Sequence, residues 1–473
     1  MEDLKKQLKI KINASAKTVA GESLPCGDLT VNLVLNLRDL PGRRSVWQAK
    51  VEEHELLVKV YFKHSKQVKD VDAEWGNASR LAAEKLSMPM PLFKAEGENG
   101  EIVIGFEWIP EGETLDQLMN NRSVPQRIFD SLFLLHASQH QVGCYQSDNH
   151  LGNYLYSGGG VFLLDLGSYV FEKTPLSYEA RVKNLAMLLA NIPLGLWGQA
   201  RESISRYMEE CATDLDGEVL ARDLENELPK AVHVRLWKYY KKTRRSCTEF
   251  EREDSGGLTW LACRKLPQAV KEALKTDPDQ FFDTEDLLKD GNTCTVTKVV
   301  SDGRCYVLKR YNRKPLGYQL SHMFITPRAL RSWTNGHVLN LFGIKTPKPK
   351  ACLLVRSGGL LNRAYLLMEN VEGETLDTVD TKRILSPESL ISEAFANRWA
   401  ELESVGATHG DMKASNLMVT PEGDLTLIDL DGLRFDKTDK EHQRRRKKDM
   451  KRFMKNWEGR PELIKAFEEA LTR

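Results

Sequence analysis

The hydrophobic pattern changes period in the same order twice along the chain. Thr30–Leu37 (TVNLVLNL), Ser45–Val51 and Leu56–Phe62 read as strands, with hairpin punctuation at Pro41-Gly42. A helical stretch follows at Asp72–Lys85, then Met88-Pro-Met-Pro91 and two more strands ending near Ile102–Trp108. The polar tag Glu111-Gly-Glu-Thr-Leu115 opens a helix, and Pro125–His140 reads as a hydrophobic helix. The order restarts at Asp290-Gly-Asn-Thr-Cys-Thr-Val296, with strands through Val300 and at Cys305–Arg310. A helix at Arg328–Leu341 leads to Gly343-Ile-Lys-Thr-Pro-Lys-Pro349 and to strands at Ala351–Val355 and Ala364–Glu369. Glu372-Gly-Glu-Thr-Leu376 then repeats the first tag almost letter for letter.

Sheet first and helices after, twice over, predicts an α+β unit of two lobes duplicated in tandem. Ser255-Gly256-Gly257 breaks the pattern, and Lys275–Gln280 is polar with a proline. The expected division is therefore residues 1–250, a linker over 251–284, and 285–473.

A length of 473 residues exceeds one ordinary core and fits two domains. Hydrophobic content of 41% with 29% charged residues excludes a disordered or fibrous chain. The 68 basic and 67 acidic side chains nearly cancel, so any attraction to anions must come from local clustering. That balance, with no recognisable motif, argues against nucleic acid as a partner. The polar start Met1-Glu-Asp-Leu-Lys-Lys6 develops no signal-peptide core. Leu185–Trp197 is interrupted by Pro193 and falls short of the roughly 20 residues that span a membrane. A cytoplasmic location is expected, and eight cysteines without a CxxC pair fit a reducing compartment.

The most specific signal is His409-Gly-Asp-Met-Lys-Ala-Ser-Asn416, followed by an apolar strand, a turn at Pro421–Gly423, and Leu427-Ile-Asp-Leu-Asp431. Phosphoryl transfer needs a carboxylate to orient the accepting hydroxyl, metal ligands to hold phosphates, and a cation to offset developing charge. Asp411 is the candidate catalytic carboxylate and Lys413 the cation, while Asn416 and Asp429 offer hard oxygens suited to Mg2+. Lys309, inside the apolar strand Val307-Leu-Lys309, is placed to hold ATP phosphates. Gly291, Asn292 and Thr293 stand where a phosphate-cradling loop would lie, their small side chains letting backbone N–H groups approach.

The first half carries a looser set, Gln146-Ser-Asp-Asn-His-Leu-Gly-Asn153 followed by Phe162-Leu-Leu-Asp-Leu-Gly167. Asp148 takes the place of Asp411, Asn153 that of Asn416 and Asp165 that of Asp429, the last interval being one residue shorter. His150 replaces the lysine and could act as a cation or as a donor. Lys59 matches the strand lysine, and Glu74 early in the next helix is its expected partner.

These residues resemble the lipopolysaccharide-core sugar kinase family, which phosphorylates heptose or Kdo and belongs to the protein-kinase-like superfamily. The loop His409–Asn416, Asp429-Leu-Asp431, Gly343–Pro347 and Arg331-Ser-Trp333 carry the resemblance, which covers residues 285–460 closely and 30–245 loosely. It implies two protein-kinase-like bilobal modules, ATP and Mg2+. It also implies an acceptor hydroxyl on the lipopolysaccharide core or a lipid-linked sugar, peripheral work at the cytoplasmic face of the inner membrane, and a Gram-negative source. By position it makes Asp411 the base, Asn416 and Asp429 the metal ligands, and Lys309 the phosphate-binding lysine.

Two departures stand out. Ser332–Asn335 offers no carboxylate to Lys309, and His150 and Gln146 replace the lysine and leading histidine of the first-half loop. The short stretch after Asp429 leaves little room for a peptide-docking lobe, which favours a glycan or small-molecule acceptor over a protein. The basic run Arg444–Lys448, with Lys451, Arg452 and Lys455, shares a helix with the apolar face Met450, Phe453, Met454 and Trp457. It reads either as a packed final helix or as a basic rim for anionic lipid, and Lys241–Arg245 invites the same two readings. A kinase for a soluble small molecule or protein, and a pseudokinase scaffold, remain the rival functions.

Overall fold

The computed structural model describes residues 11–12, 23–26, 29–40, 43–62, 65–97, 101–119, 124–211, 216–282, 287–312, 325–436 and 438–472. The expected Pro41-Gly42 turn lies outside them. The chain forms two compact units, Met1–Ala231 and Val232–Arg473.

In the N-terminal unit, β1 (Lys11–Ile12), β2 (Ser23–Cys26), β3 (Leu29–Leu40), β4 (Arg44–Val51) and β5 (His54–Tyr61) precede α1 (Ser65–Ala83), β6 (Pro91–Gly97) and β7 (Ile102–Glu107). They close in the order β1-β2-β3-β4-β5-β7-β6, antiparallel except for β1 beside β6. Every second residue of β4 points inward, so Trp47, Ala49 and Val51 join Val31, Val58, Val60, Phe93 and Val103 in one core. Helix α1 buries Val71, Glu74, Ala78 and Leu81 along one face, which turns the Glu74 carboxylate inward with the apolar side chains.

β8 (Glu113–Thr114) leads into the short α2 (Leu115–Leu118) and the buried α3 (Gln126–Gln141). β9 (Cys144–Gln146), β10 (Tyr154–Ser157), β11 (Gly160–Leu163) and β12 (Tyr169–Phe171) carry the looser motif. α4 (Tyr178–Asn191), α5 (Trp197–Glu202), α6 (Ile204–Cys211) and α7 (Gly217–Lys242) follow, α7 running across the division between units.

The C-terminal unit is built on an all-antiparallel seven-stranded sheet of order β13-β14-β18-β19-β17-β16-β15. Its strands are β13 (Phe250–Ser255), β14 (Leu258–Cys263), β15 (Leu287–Asp290), β16 (Cys294–Ser301), β17 (Arg304–Tyr311), β18 (Pro349–Ser357) and β19 (Leu360–Glu369). Residues 251–282 of the expected linker are therefore folded. Ser255-Gly256-Gly257 is the turn of the β13–β14 hairpin, both glycines having positive φ. The alternation in Leu258–Cys263 feeds two faces at once. Trp260 and Ala262 pack with α8 (Gln268–Thr276) through Val270 and Leu274, while Leu261 packs opposite with α9 (Arg328–Leu341) through Ala329 and Trp333.

β20 (Glu374–Thr375), α10 (Thr381–Ile384), α11 (Ile391–Ser404), β21 (Ala407–Thr408), β22 (Leu417–Val419), β23 (Leu425–Leu427), β24 (Arg434–Phe435), α12 (Asp439–Lys455) and α13 (Pro461–Thr472) complete the unit. Phe453 of α12 stacks on Phe395 with centroids 3.8 Å apart, and Trp457 stacks on Phe467. α12 is therefore a packed helix, as the apolar spacing predicts, and its Arg444, Lys447, Lys448, Lys451 and Lys455 face solvent. Arg244 stacks over Tyr240 and Lys242 pairs with Glu249 at 2.6 Å, so these two side chains of the second basic run are engaged within their own unit, while Lys241 and Arg245 are exposed.

The two Glu-Gly-Glu-Thr tags do the same work. Thr114 pairs with Leu155 in β10, and Thr375 pairs with Met418 in β22, each adding a third strand to the hairpin that follows a motif loop. Gly373 (φ 137°) is required there, because a Cβ would meet the Val419 carbonyl oxygen at 2.1 Å.

Candidate functional site

In the C-terminal unit the motif loop lies between β21 and β22. Gly410 adopts φ 78°, and a Cβ there would sit 2.5 Å from the Gly432 carbonyl oxygen, so the loop passes the following segment at backbone contact. The buried His409 ring donates from Nε2 to the Ile428 carbonyl at 3.0 Å. Asn416 donates from Nδ2 to the Asp411 carbonyl (2.8 Å) and to Asp411 Oδ2 (3.2 Å), and its carbonyl accepts from Ile428 N–H. These bonds tie Asp411, Asn416 and the segment leading to Asp429 into one frame. Lys413 Nζ lies 3.3 Å from Asp411 Oδ2.

Lys309 and Asp429, 120 positions apart in sequence, form a 2.6 Å ion pair. Burial disfavours the Lys309 ammonium, but Tyr311 and Asp429 outweigh it and hold the pKa above the ordinary lysine value. Burial likewise opposes ionisation of Asp429, yet the Lys309 charge and hydrogen bond bring its pKa below the usual carboxylate range. Arg328 pairs with Asp431 at 2.6 Å. Gly291, Asn292 and Thr293 form the tight β15–β16 turn, which Asn312 braces by donating to the Gly291 carbonyl at 2.8 Å. Lys309, Tyr311, Ser332, Met368 and Asp429 line a pocket.

The N-terminal unit repeats this frame with other side chains. Gln146 donates to the Leu164 carbonyl where His409 donates to Ile428, and Asn153 Nδ2 donates to the Asp148 carbonyl at 2.9 Å. Asp165 and Asp429 share the left-handed conformation, at φ 48° and φ 60°. Asn77 of α1 donates to the carbonyls of Leu166 and Tyr169, and Asn335 of α9 to those of Leu430 and Leu433. Those anchors fix the equivalence of the helices: Glu74 and Ser332 each stand three residues before the asparagine.

Lys59 pairs with Glu74, which also accepts from the Tyr61 hydroxyl. Burial works against the Glu74 carboxylate, but Lys59 overcomes it and lowers the pKa. In the C-terminal unit Tyr311 instead meets the Ser332 hydroxyl at 3.1 Å, and Lys309 turns to Asp429. His150 Nδ1 accepts from Gly152 N–H at 3.0 Å, which leaves Nε2 as its donor.

The part that three residues play in these frames escaped the sequence reading, which places Arg452 only as a member of the basic run. Arg452 of α12 pairs with Asp411 Oδ1 and donates to the Gly410 carbonyl at 3.1 Å. Asp449, one turn earlier and buried, accepts from Gly410 N–H at 2.9 Å. The available signal was a lone carboxylate inside the basic run. Arg44, at the start of β4, lies 3.6 Å from Glu74 and 3.8 Å from Asp165, and no motif marks it.

Residues 278–473 match the model of the lipopolysaccharide kinase (Kdo/WaaP) family, whose members are phosphotransferases acting on sugar hydroxyls. Among solved structures, the BubR1 kinase domain is similar at a TM-score of 0.33 and 13% identity, over 46% of this chain and 86% of that one. No curated protein matches the chain. Among the described residues no helix is long and apolar enough to cross a membrane.

Proposed function

We propose that the chain is a tandem of two protein-kinase-like modules, and that the C-terminal one transfers the γ-phosphoryl group of ATP to a heptose or Kdo hydroxyl of the lipopolysaccharide inner core. One observation carries the reading: Asp411, Lys413, Asn416, Asp429 and Lys309 stand on one hydrogen-bonded frame inside the segment that matches the sugar-kinase family. Asp411 orients the acceptor hydroxyl and takes up its proton, a role that contributes typically ~10²–10⁴-fold. Lys413 offsets charge on the transferred group, and Lys309 holds the phosphates.

Asn416 donates its side-chain NH2 to Asp411, which leaves its side-chain Oδ1 for a cation, and Asp429 offers a carboxylate. This hard-oxygen pair fits Mg2+, which when bound neutralises phosphate charge. The matching asparagine anchors, left-handed aspartates and sheet tags of the two units support duplication of one module. The solvent-facing basic side chains of α12 support peripheral contact with an anionic membrane at the cytoplasmic face.

A second reading, a nucleotide-binding scaffold without transfer, is favoured by Ser332 in the position of Glu74. The test is radiolabelled ATP offered with dephosphorylated core lipopolysaccharide, free sugars, an aminoglycoside and a protein acceptor. Label in the lipopolysaccharide is expected. Label in another acceptor alone, or in none, overturns the proposal.

A further inference from the structure

The register of the strands shows where the two units differ in charge. Arg44 pairs with Tyr61, two residues past Lys59, and Cys294 pairs with Tyr311, two residues past Lys309. Arg44 thus holds the position that a buried cysteine holds in the C-terminal unit. Its guanidinium lies 3.6 Å from Glu74 Oε2, 3.8 Å from Asp165 Oδ2 and within 3.3 Å of the Tyr61 hydroxyl. Its Nε is fully buried with no hydrogen-bond partner among the described residues, while the side chain as a whole stays 18% exposed.

The acidic set is also thinner here. Gly167 stands where the C-terminal unit has Asp431. At Asp165 an additional positive charge is already present from β4, where the C-terminal unit has the uncharged Cys294.

We propose that the N-terminal unit binds a nucleoside triphosphate without a divalent cation, the Arg44 guanidinium taking the charge role that a metal fills in the C-terminal unit. Arg44 and Lys59 together face the phosphates, a task for which a planar guanidinium with several donors is well suited. This rests on the reading of the N-terminal unit as a kinase-like nucleotide module. It gives that unit a binding role that survives where metal-dependent transfer does not.

The test uses the full-length chain carrying Asp429→Asn, which disables the metal ligand of the C-terminal unit, and a fluorescent ATP analogue titrated in EDTA or in excess Mg2+. Saturable binding is expected in EDTA, at least tenfold weaker after Arg44→Gln and tighter after Asp165→Asn, which removes a negative charge facing the phosphates. Asp165 is about one-third exposed, so its isosteric change leaves folding intact and keeps the test decisive if Arg44→Gln unfolds the unit. Binding that requires Mg2+, or that Asp165→Asn abolishes, overturns this inference while leaving the module reading standing. Equal displacement by inorganic tripolyphosphate overturns the nucleoside assignment. No binding in either condition, by a folded chain, overturns the module reading of this unit and the inference with it.

Discussion

Replacing Arg452 by Met separates positioning from stability. The guanidinium engages Asp411 Oδ1 and the Gly410 carbonyl, while Lys413 and Asn416 hold Oδ2. Among the described residues Arg452 alone engages Oδ1, so its loss frees the carboxylate to pivot. The pair is half-exposed, at 51% and 37%, so it contributes only about 0.2–1 kcal/mol to folding. For a unit of this size that is a fall of about 2–4 °C or less in the thermal midpoint. On the proposed role of Asp411, displacing its carboxylate costs far more in rate, on the order of 10²-fold. Steady-state kinetics on the lipopolysaccharide acceptor should show kcat reduced ~10–100-fold with KM for ATP unchanged, because Lys309 and Asp429 are untouched. Arg452→Lys restores a point charge without the fork and should recover part of the rate. A kcat within twofold of the parent would refute the reasoning, as would an unchanged kcat accompanied by a large stability loss.

Glu74→Ala strands the buried Lys59 ammonium and should destabilise the N-terminal unit by about 3–5 kcal/mol in urea unfolding; a loss under about 1 kcal/mol would show that the pair is not formed. Burial pushes His136 down to about 4 and His140 and His337 down to about 3, so each stays neutral in the fold while the unfolded chain takes up a proton near 6.5. The unfolded state then binds more protons, and stability falls as pH drops below about 6.5, by ~1.4 kcal/mol per unit for each ring. Calorimetry from pH 7 to 5 should show the N-terminal unit, with two such rings, losing clearly more than the C-terminal unit, where burial raises Glu401 to about 7 so that its protonation in the fold offsets the loss from His337; equal losses would count against the burial argument. Gly373→Ala meets the Val419 carbonyl and should cost at least about 2–3 kcal/mol, against about 1 kcal/mol for Gly423→Ala, which has positive φ but open space; equal chemical-denaturation shifts would remove the steric explanation.

The sheet-then-helix order, both motif loops and the Lys59–Glu74 encounter were legible because each rests on local period or short spacing. The folded nature of 251–282 was hidden because Ser-Gly-Gly reads equally as a break and as a hairpin turn, and only pairing with β18 decides between them. Lys309 finding Asp429, and Arg452 finding Asp411, depend on contacts between distant segments that no local pattern encodes. The equivalence of Ser332 with Glu74 lay in the shared three-residue step to Asn335 and Asn77, but that spacing gains meaning only once both asparagines are seen donating to the same turn. Arg44 was invisible for a related reason: a strand-edge arginine is ordinary until its register opposite Tyr61 sets it between two carboxylates.

The most direct measurement of the central claim is phosphate incorporation from ATP into purified, dephosphorylated core lipopolysaccharide by the parent chain, Asp411→Ala and Asp148→Ala. Loss of incorporation in Asp411→Ala alone is the predicted result. Full incorporation by Asp411→Ala, with loss in Asp148→Ala, would contradict the account and move the chemistry to the N-terminal unit.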